Sequence, residues 1–266
     1  MGGIAFGQYY PTDSVLHRLD PRVKFIGTIL FIVSLFLAKG PVGYGLCACA
    51  LLCVILISKV PFSLFLKSMR PIIMILIVTM IFNVLLTPGE VIARFFIFRI
   101  TREGCIMAIR MGFRLILLVM GSSVMTLTTT PNALTDGMER LFRPLKVIHV
   151  PVHEIAMMMS IALRFIPILL EETDKIRKAQ IARGADFDTG GLIKRLQGMI
   201  PLLVPLFVSA FRRAGDLAMA MEARCYHGGE GRTQMRPLHF ENRDYIACGI
   251  MAAFVALCAV CGYFGW

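Results

Sequence analysis

Two arginines in this chain keep unusual company. Arg183 lies in the stretch Lys178-Ala179-Gln180-Ile181-Ala182-Arg183-Gly184-Ala185-Asp186, and Arg224 in Met221-Glu222-Ala223-Arg224-Cys225-Tyr226. Each closes a long, half-apolar helical pattern. Alanine favours helix, glycine commonly stops one, and an arginine in the last turn complements the negative end of the helix dipole. A satisfied helix end explains either arginine alone. Two such ends in one basic chain point to docking: a guanidinium fixed at a helix tip is a fork for a partner's carboxylate, and small alanine neighbours let another backbone come close.

Other candidates for chemistry are weaker. His149 and His153 are separated by Pro151 at a helix start, so they are not expected to share a metal. His153-Glu154 continues as Ile155-Ala156-Met157, which departs from the His-Glu-x-x-His helix of zinc peptidases. Glu171, Glu172 and Asp174 resemble an acidic site, but Glu171–Lys175 and Asp174–Lys178 have the helix-supporting i, i+4 spacing, as does Arg212–Asp216. Met157, Met158, Met159, Met219 and Met221 suit a yielding contact surface or a soft metal, and suit packing against lipid or core better. The sequence has no Gly-x-x-x-x-Gly-Lys-Ser/Thr loop and no Gly-x-Ser-x-Gly elbow. The expectation is a non-catalytic chain with no catalytic residues, metal or cofactor of its own, for which any energy from ATP comes through another subunit.

The elements that must hold these arginines belong to a membrane protein. Of 266 residues, 57% are hydrophobic and only 17% charged, with a mean hydropathy of +0.72; both departures from soluble averages favour a multi-pass chain. The net charge of +11 suits anionic lipid or an acidic partner surface. Without a basic stretch interleaved with aromatics, nucleic acid is not an expected partner. Most of the eight cysteines sit inside apolar runs (Cys47, Cys49 and Cys53; Cys248, Cys258 and Cys261) and read as small hydrophobes. The first ten residues lack the basic-then-apolar order of a cleavable signal, so the first apolar helix is expected to stay.

The fold class expected is all-α, with about five transmembrane helices and a region of long helices outside the bilayer. Asp20 before Pro21 is a strong helix start. The spans are 23–38, 42–58, 71–86, 104–129 and 245–264, and Arg18, Arg22 and Lys24 put the N-terminus in the cytoplasm by the positive-inside rule. The loop 90–103 should then be external, and its Phe95-Phe96-Ile97-Phe98 is expected to lie at the interface despite Arg94, Arg99 and Arg102. Arg110 and Arg114, near the outer start of the fourth span, are expected to snorkel. The C-terminus is external, with Trp266 at the interface.

This divides the chain into 1–130 with four spans, a coupling-helix region 131–243, and a C-terminal span 244–266. Within the middle region a short amphipathic helix runs to about Phe142, and two long helical patterns cover 151–184 and 192–224. Their apolar halves, Ile155 to Leu170 and Met199 to Phe211, fall short of the roughly 20 residues a span needs. If both crossed, Arg183 and Arg224 would face opposite compartments; if neither crosses, both face the cytoplasm, which is the reading taken. Pro167, Pro201 and Pro205 should bend these helices, as hinges or fixed kinks.

With those residues in view, the chain resembles the transmembrane T-component of energy-coupling factor transporters over nearly its whole length. The resemblance rests on Gly7-Gln8-Tyr9, Leu16-His17-Arg18-Leu19-Asp20-Pro21-Arg22, Leu127-Thr128-Thr129-Thr130-Pro131 and Arg164-Phe165-Ile166-Pro167. Above all it rests on Ala182-Arg183-Gly184 and Ala223-Arg224-Cys225, which look like the family's two Ala-Arg-Gly motifs. It implies two ABC ATPase partners, which alone bind ATP and magnesium and into which the two arginines dock. It also implies a membrane-embedded substrate-binding S-component, which Pro167, Pro201 and Pro205 would contact or hinge against, for uptake of a vitamin or other micronutrient across a bacterial cell membrane.

Cys225 stands where the family has glycine: either the cysteine adopts a left-handed conformation, or the helix stops later, at Gly228. A cobalt or nickel importer of the same family is the near alternative. A conventional ABC permease would need polar residues facing inside the spans, where Asn83, Ser122 and Ser123 are nearly the whole inventory.

Overall fold

Asp20 does at the start of the first long helix what its position before Pro21 promises: its carboxylate accepts the Arg22 amide at 2.9 Å. The computed structural model describes residues 9–264 apart from 39, 96–97, 186, 188–190 and 230–237, with side chains also left aside at 91–99, 192–197 and 264. Gly7, Gln8, Asp186, the loop residues Glu230 to Arg236 and Trp266 therefore lie outside the described residues, as do the side chains of Arg94, Arg99 and the aromatic run between them. The elements in order are α1 (Val15–Arg18), α2 (Pro21–Leu37), α3 (Pro41–Ser58), α4 (Phe62–Leu86), β1 (Val91–Phe95), β2 (Phe98–Thr101), α5 (Arg102–Thr128), α6 (Pro131–Phe142), a 3₁₀ stretch (Arg143–Ile148), α7 (Val152–Ala182), α8 (Leu192–Ala223) and α9 (Asn242–Phe264). This is an all-α polytopic membrane protein carrying one small hairpin.

The chain forms two compact units. The first is Met1–Gly137 with Pro237–Trp266, a bundle of α2, α3, α4, α5 and α9. Leu35, Cys47, Phe65, Leu127 and Cys258 are wholly buried in its core. Phe31 and Phe254 stack between α2 and α9 with ring centroids 6.4 Å apart, and the Cys47 and Cys258 sulfurs touch at 3.9 Å. Gly121 of α5 lies flush on the Phe31 ring, leaving no room for a Cβ.

α4 begins at Phe62 rather than at Pro71, so Pro71 is internal to it. The loop at 90–103 is not merely interfacial: β1 and β2 pair antiparallel, with Arg94 opposite Arg99 and Phe95 opposite Phe98. Thr101 ties the hairpin down, its hydroxyl donating to the Thr87 carbonyl at 2.8 Å and accepting the Gly104 amide at 3.1 Å to cap α5.

The second unit is Met138–Arg236, in which α7 and α8 run antiparallel. Arg213 of α8 pairs with Glu172 of α7 at 3.5 Å. That interhelical pair forms in place of the expected ones within each helix, none of which closes to 4 Å among the described residues. Much of the apolar surface here is uncovered: Met158, Met159, Val204, Phe207, Val208 and Phe211 are all exposed.

Among the described residues, six helices are long and apolar enough to cross a membrane, against about five expected: α3, α4, α5, α7, residues 198–223 of α8, and α9. The apolar halves of α7 and α8 are short because charged residues follow them, but both helices run unbroken through those charges and through their prolines, over 31 and 32 residues. α2, counted among the expected spans, is the short one at 17 residues.

Candidate docking ends of the long helices

Both long helices stop in the same way. At the end of α7, Gly184 takes φ +88°, its amide donates to the Ile181 carbonyl at 2.9 Å, and the Ala185 amide donates to the Gln180 carbonyl at 2.9 Å. At the end of α8, Cys225 takes φ +54°, its amide donates to the Glu222 carbonyl at 2.8 Å, and the Tyr226 amide donates to the Met221 carbonyl at 3.1 Å. This crossed pair of bonds is the Schellman closure, which needs a left-handed residue just past the helix. The Cβ of cysteine makes that conformation cost roughly 1–2 kcal/mol. The helix nevertheless stops there and not at Gly228, which makes a separate left-handed turn at φ +96°. Arg183 and Arg224 are thus equivalent residues, each the last before a left-handed stop and each exposed.

The two ends do not lie side by side. Because α7 and α8 are antiparallel, Gln180 meets Pro201 near the start of α8, while Met221 and Arg224 line one cleft with Met157 and Ile161 near the start of α7. From Ile161 to Arg183 a helix rises roughly 30 Å. Ala182, Arg183 and Gly184 therefore form one tip of the pair, and Ala223, Arg224 and Cys225 form the other. They are two separate prongs.

The three prolines are internal to their helices, Pro167 in α7 and Pro201 and Pro205 in α8. Pro205 has no amide hydrogen to offer the Pro201 carbonyl one turn back. Gln180 fills the vacancy, its side-chain amide donating to that oxygen at 3.1 Å. Gln180, one turn from Arg183, is thus a residue that motif reading passes over: only the neighbouring helix reveals what it bonds.

Arg164, quoted above in the Arg164-Phe165-Ile166-Pro167 motif without a role, gains one from its neighbours on α8. At the Arg224 tip a cleft of about 670 Å³ opens between α7 and α8, lined by Ser160, Arg164, Arg224, Tyr226 and His227 among apolar neighbours. No acidic side chain lines it, and neither arginine has a carboxylate within 4 Å among the described residues. The cleft is a cationic pocket suited to an anionic group. His153, weighed above as a metal ligand, instead bonds Glu139 through Nδ1 at 2.7 Å.

The stretch Leu16 to Arg22 has a different task, in the first unit. The Asp20 carboxylate pairs with Arg22 at 2.7 Å, and the Asp20 amide donates to the Asp244 carboxylate at 2.9 Å, while Asp244 also accepts the Glu241 amide at the start of α9. The Arg22 guanidinium stacks over the Phe240 ring at 4.1 Å. This set clamps the starts of α2 and α9 together. Just before it, the Arg18 guanidinium forms a two-pronged pair with Asp13 and holds that carboxyl below its usual range. Burial pushes the His17 imidazole down, partly offset by its bond to the Tyr10 carbonyl.

Residues 12–235 match the family model described as "Cobalt transport protein". The chain is 49% identical to the energy-coupling factor transporter transmembrane protein EcfT of Acidaminococcus fermentans, over 96% of both chains. It is 50% identical to the EcfT protein of Clostridium kluyveri, over 96% of this chain and 94% of the other, and 45% identical to that of Bacillus subtilis, over 98% and 97%. With its long helices, its paired arginine ends and these relatives, the chain belongs to the transmembrane T-component family of energy-coupling factor transporters.

Proposed function

We propose that this chain couples ATP hydrolysis by two partner ATPases to substrate uptake through a membrane-embedded S-component, with each arginine tip docked into one ATPase. The observation that carries the reading is the identical closure of α7 and α8 around Arg183 and Arg224 at opposite ends of one helix pair. Tips roughly 30 Å apart suit two ATPase subunits side by side better than two grooves of one subunit. The cleft at Arg224, whose described lining holds no carboxylate, adds a reason to expect an acidic partner there.

In this account ATP and magnesium stay on the partners, and the chain is a non-catalytic subunit. In this reading α7 and α8 lie along the cytoplasmic side of the membrane and do not cross it, so the N-terminus and both tips face the cytoplasm; the C-terminus faces outward, and the exposed apolar side chains of α7 and α8 meet lipid or the S-component. Closure of the ATPases moves the tips, and the antiparallel helices carry the motion along their length, with Pro167, Pro201 and Pro205 as points of bending. The cargo of this reading is a vitamin or similar micronutrient, as the family resemblance implies. The description of the matching family model supports metal ion as a second reading.

A photo-crosslinking side chain at Ala182 or at Ala223 tests the docking. Each position is expected to capture an ATPase, and with ATPases of two kinds, each a different one. Capture of lipid or S-component alone at both positions would end the proposal. Uptake of vitamin or of cobalt by the assembled complex separates the two cargo readings.

A further inference from the structure

α2, α3 and α9 end at one level, and α4 and α5 run past it. The Leu37 carbonyl at the end of α2 lies against Gly262 near the end of α9, and the Arg114 guanidinium of α5 stacks over Phe36 at 5.1 Å and beside the Tyr44 ring at 5.6 Å. Phe36 and Tyr44 are each within a turn of their helix ends. α5 begins at Arg102, about 18 Å farther along its axis. Arg114 thus sits at the edge of the bundle where the shorter spans give out. It does not simply snorkel into water, as the sequence suggested, but turns inward onto Tyr44.

The donors and acceptors there do not balance. Arg114 donates to the Tyr44 phenol oxygen through Nε at 2.9 Å and again through Nη2. Both lone pairs of that oxygen are taken, so its own proton has to be given to something else. Among the described residues no acceptor for it is found. Arg110, one turn away on the same face, is exposed, and neither it nor Arg114 has a carboxylate within 4 Å among the described residues. A guanidinium at the edge of the hydrocarbon calls for a counter-charge. Ile106, Ile109 and Phe113 are exposed on the same stretch, apolar surface beside the unmatched donors.

We propose that Arg110, Arg114 and the Tyr44 hydroxyl bind the phosphate of an anionic phospholipid at the level where α2, α3 and α9 end. A phosphodiester supplies acceptors for the phenol proton and both guanidinia, and its acyl chains cover the neighbouring apolar side chains. A free phosphate would supply only the first of these.

Thermal unfolding of the purified full-length chain in neutral detergent, with phosphatidylglycerol, phosphatidylcholine or inorganic phosphate added, tests this. Phosphatidylglycerol should raise the midpoint by several degrees, and the other two should not. In Arg110→Gln/Arg114→Gln the apparent affinity for phosphatidylglycerol should fall roughly tenfold or more, since each basic residue near an anionic surface contributes about 1 kcal/mol. Tyr44→Phe should weaken it less. If the double variant does not fold, Arg110→Gln alone carries the test, because no internal bond of that side chain is found among the described residues. An unchanged response to phosphatidylglycerol in the variants, or an equal response to phosphatidylcholine or to inorganic phosphate alone, would overturn the proposal.

Discussion

Cys225 holds a left-handed backbone at φ +54° where Gly184 holds one without a Cβ, so the two otherwise equivalent tips carry unequal strain. Cys225→Gly should therefore stabilise the chain by about 1 kcal/mol, and Gly184→Ala should destabilise it by a similar amount. Thermal unfolding of the two variants against the parent checks both signs. His17 makes a second prediction at this scale. Its Nε2–H donates to the Tyr10 carbonyl at 3.0 Å, which leaves Nδ1 to accept the Ser14 hydroxyl at 2.7 Å. Burial depresses its pKa, so the folded chain resists a proton that the unfolded chain takes up below about pH 6.5. The unfolded state then binds more protons, and stability falls as pH drops through that range. In His17→Gln the unfolding midpoint should decline less between pH 7.5 and 5.5 than in the parent; identical declines would count against this role.

At the scale of elements, the joint between α7 and α8 and the clamp between α2 and α9 carry the mechanical argument. Gln180→Ala removes the side-chain bond to the carbonyl that Pro205 leaves free, so uptake should fall several-fold while both ATPases still co-purify. Loss of assembly instead would make Gln180 part of the docking surface. Asp20→Ala removes the cap of α2 and leaves Arg22 without its partner, at a cost of about 3 kcal/mol read as a lower unfolding midpoint.

The arginine ends and the start of α2 were legible in sequence because each is local, a cap or stop signalled within a few residues. The true start of α4 was not. Lys67 and Arg70 read as loop, yet Phe65 is wholly buried and packing carries the helix through them. The hairpin at 91–101 hid for a similar reason, since its strands are too short to show alternation. Arg164 and Gln180 were invisible as site residues because what they meet lies on another helix.

At the scale of the whole molecule, a bundle of apolar helices and a long antiparallel pair would divide the work of the proposed coupling role. The bundle has a buried core and clamped helix starts, whereas the pair exposes most of its apolar surface and ends in two matched arginine tips. A chain built to bind its own substrate would need polar groups inside its spans, and there Asn83, Ser122 and Ser123 all turn back onto carbonyls of their own helices. The most direct test is co-purification of the ATPases with Arg183→Glu/Arg224→Glu, in a chain shown to insert and unfold like the parent. The account predicts that both ATPases and ATP-driven uptake are lost together. A double variant that still brings down both ATPases and transports at the parental rate would contradict it.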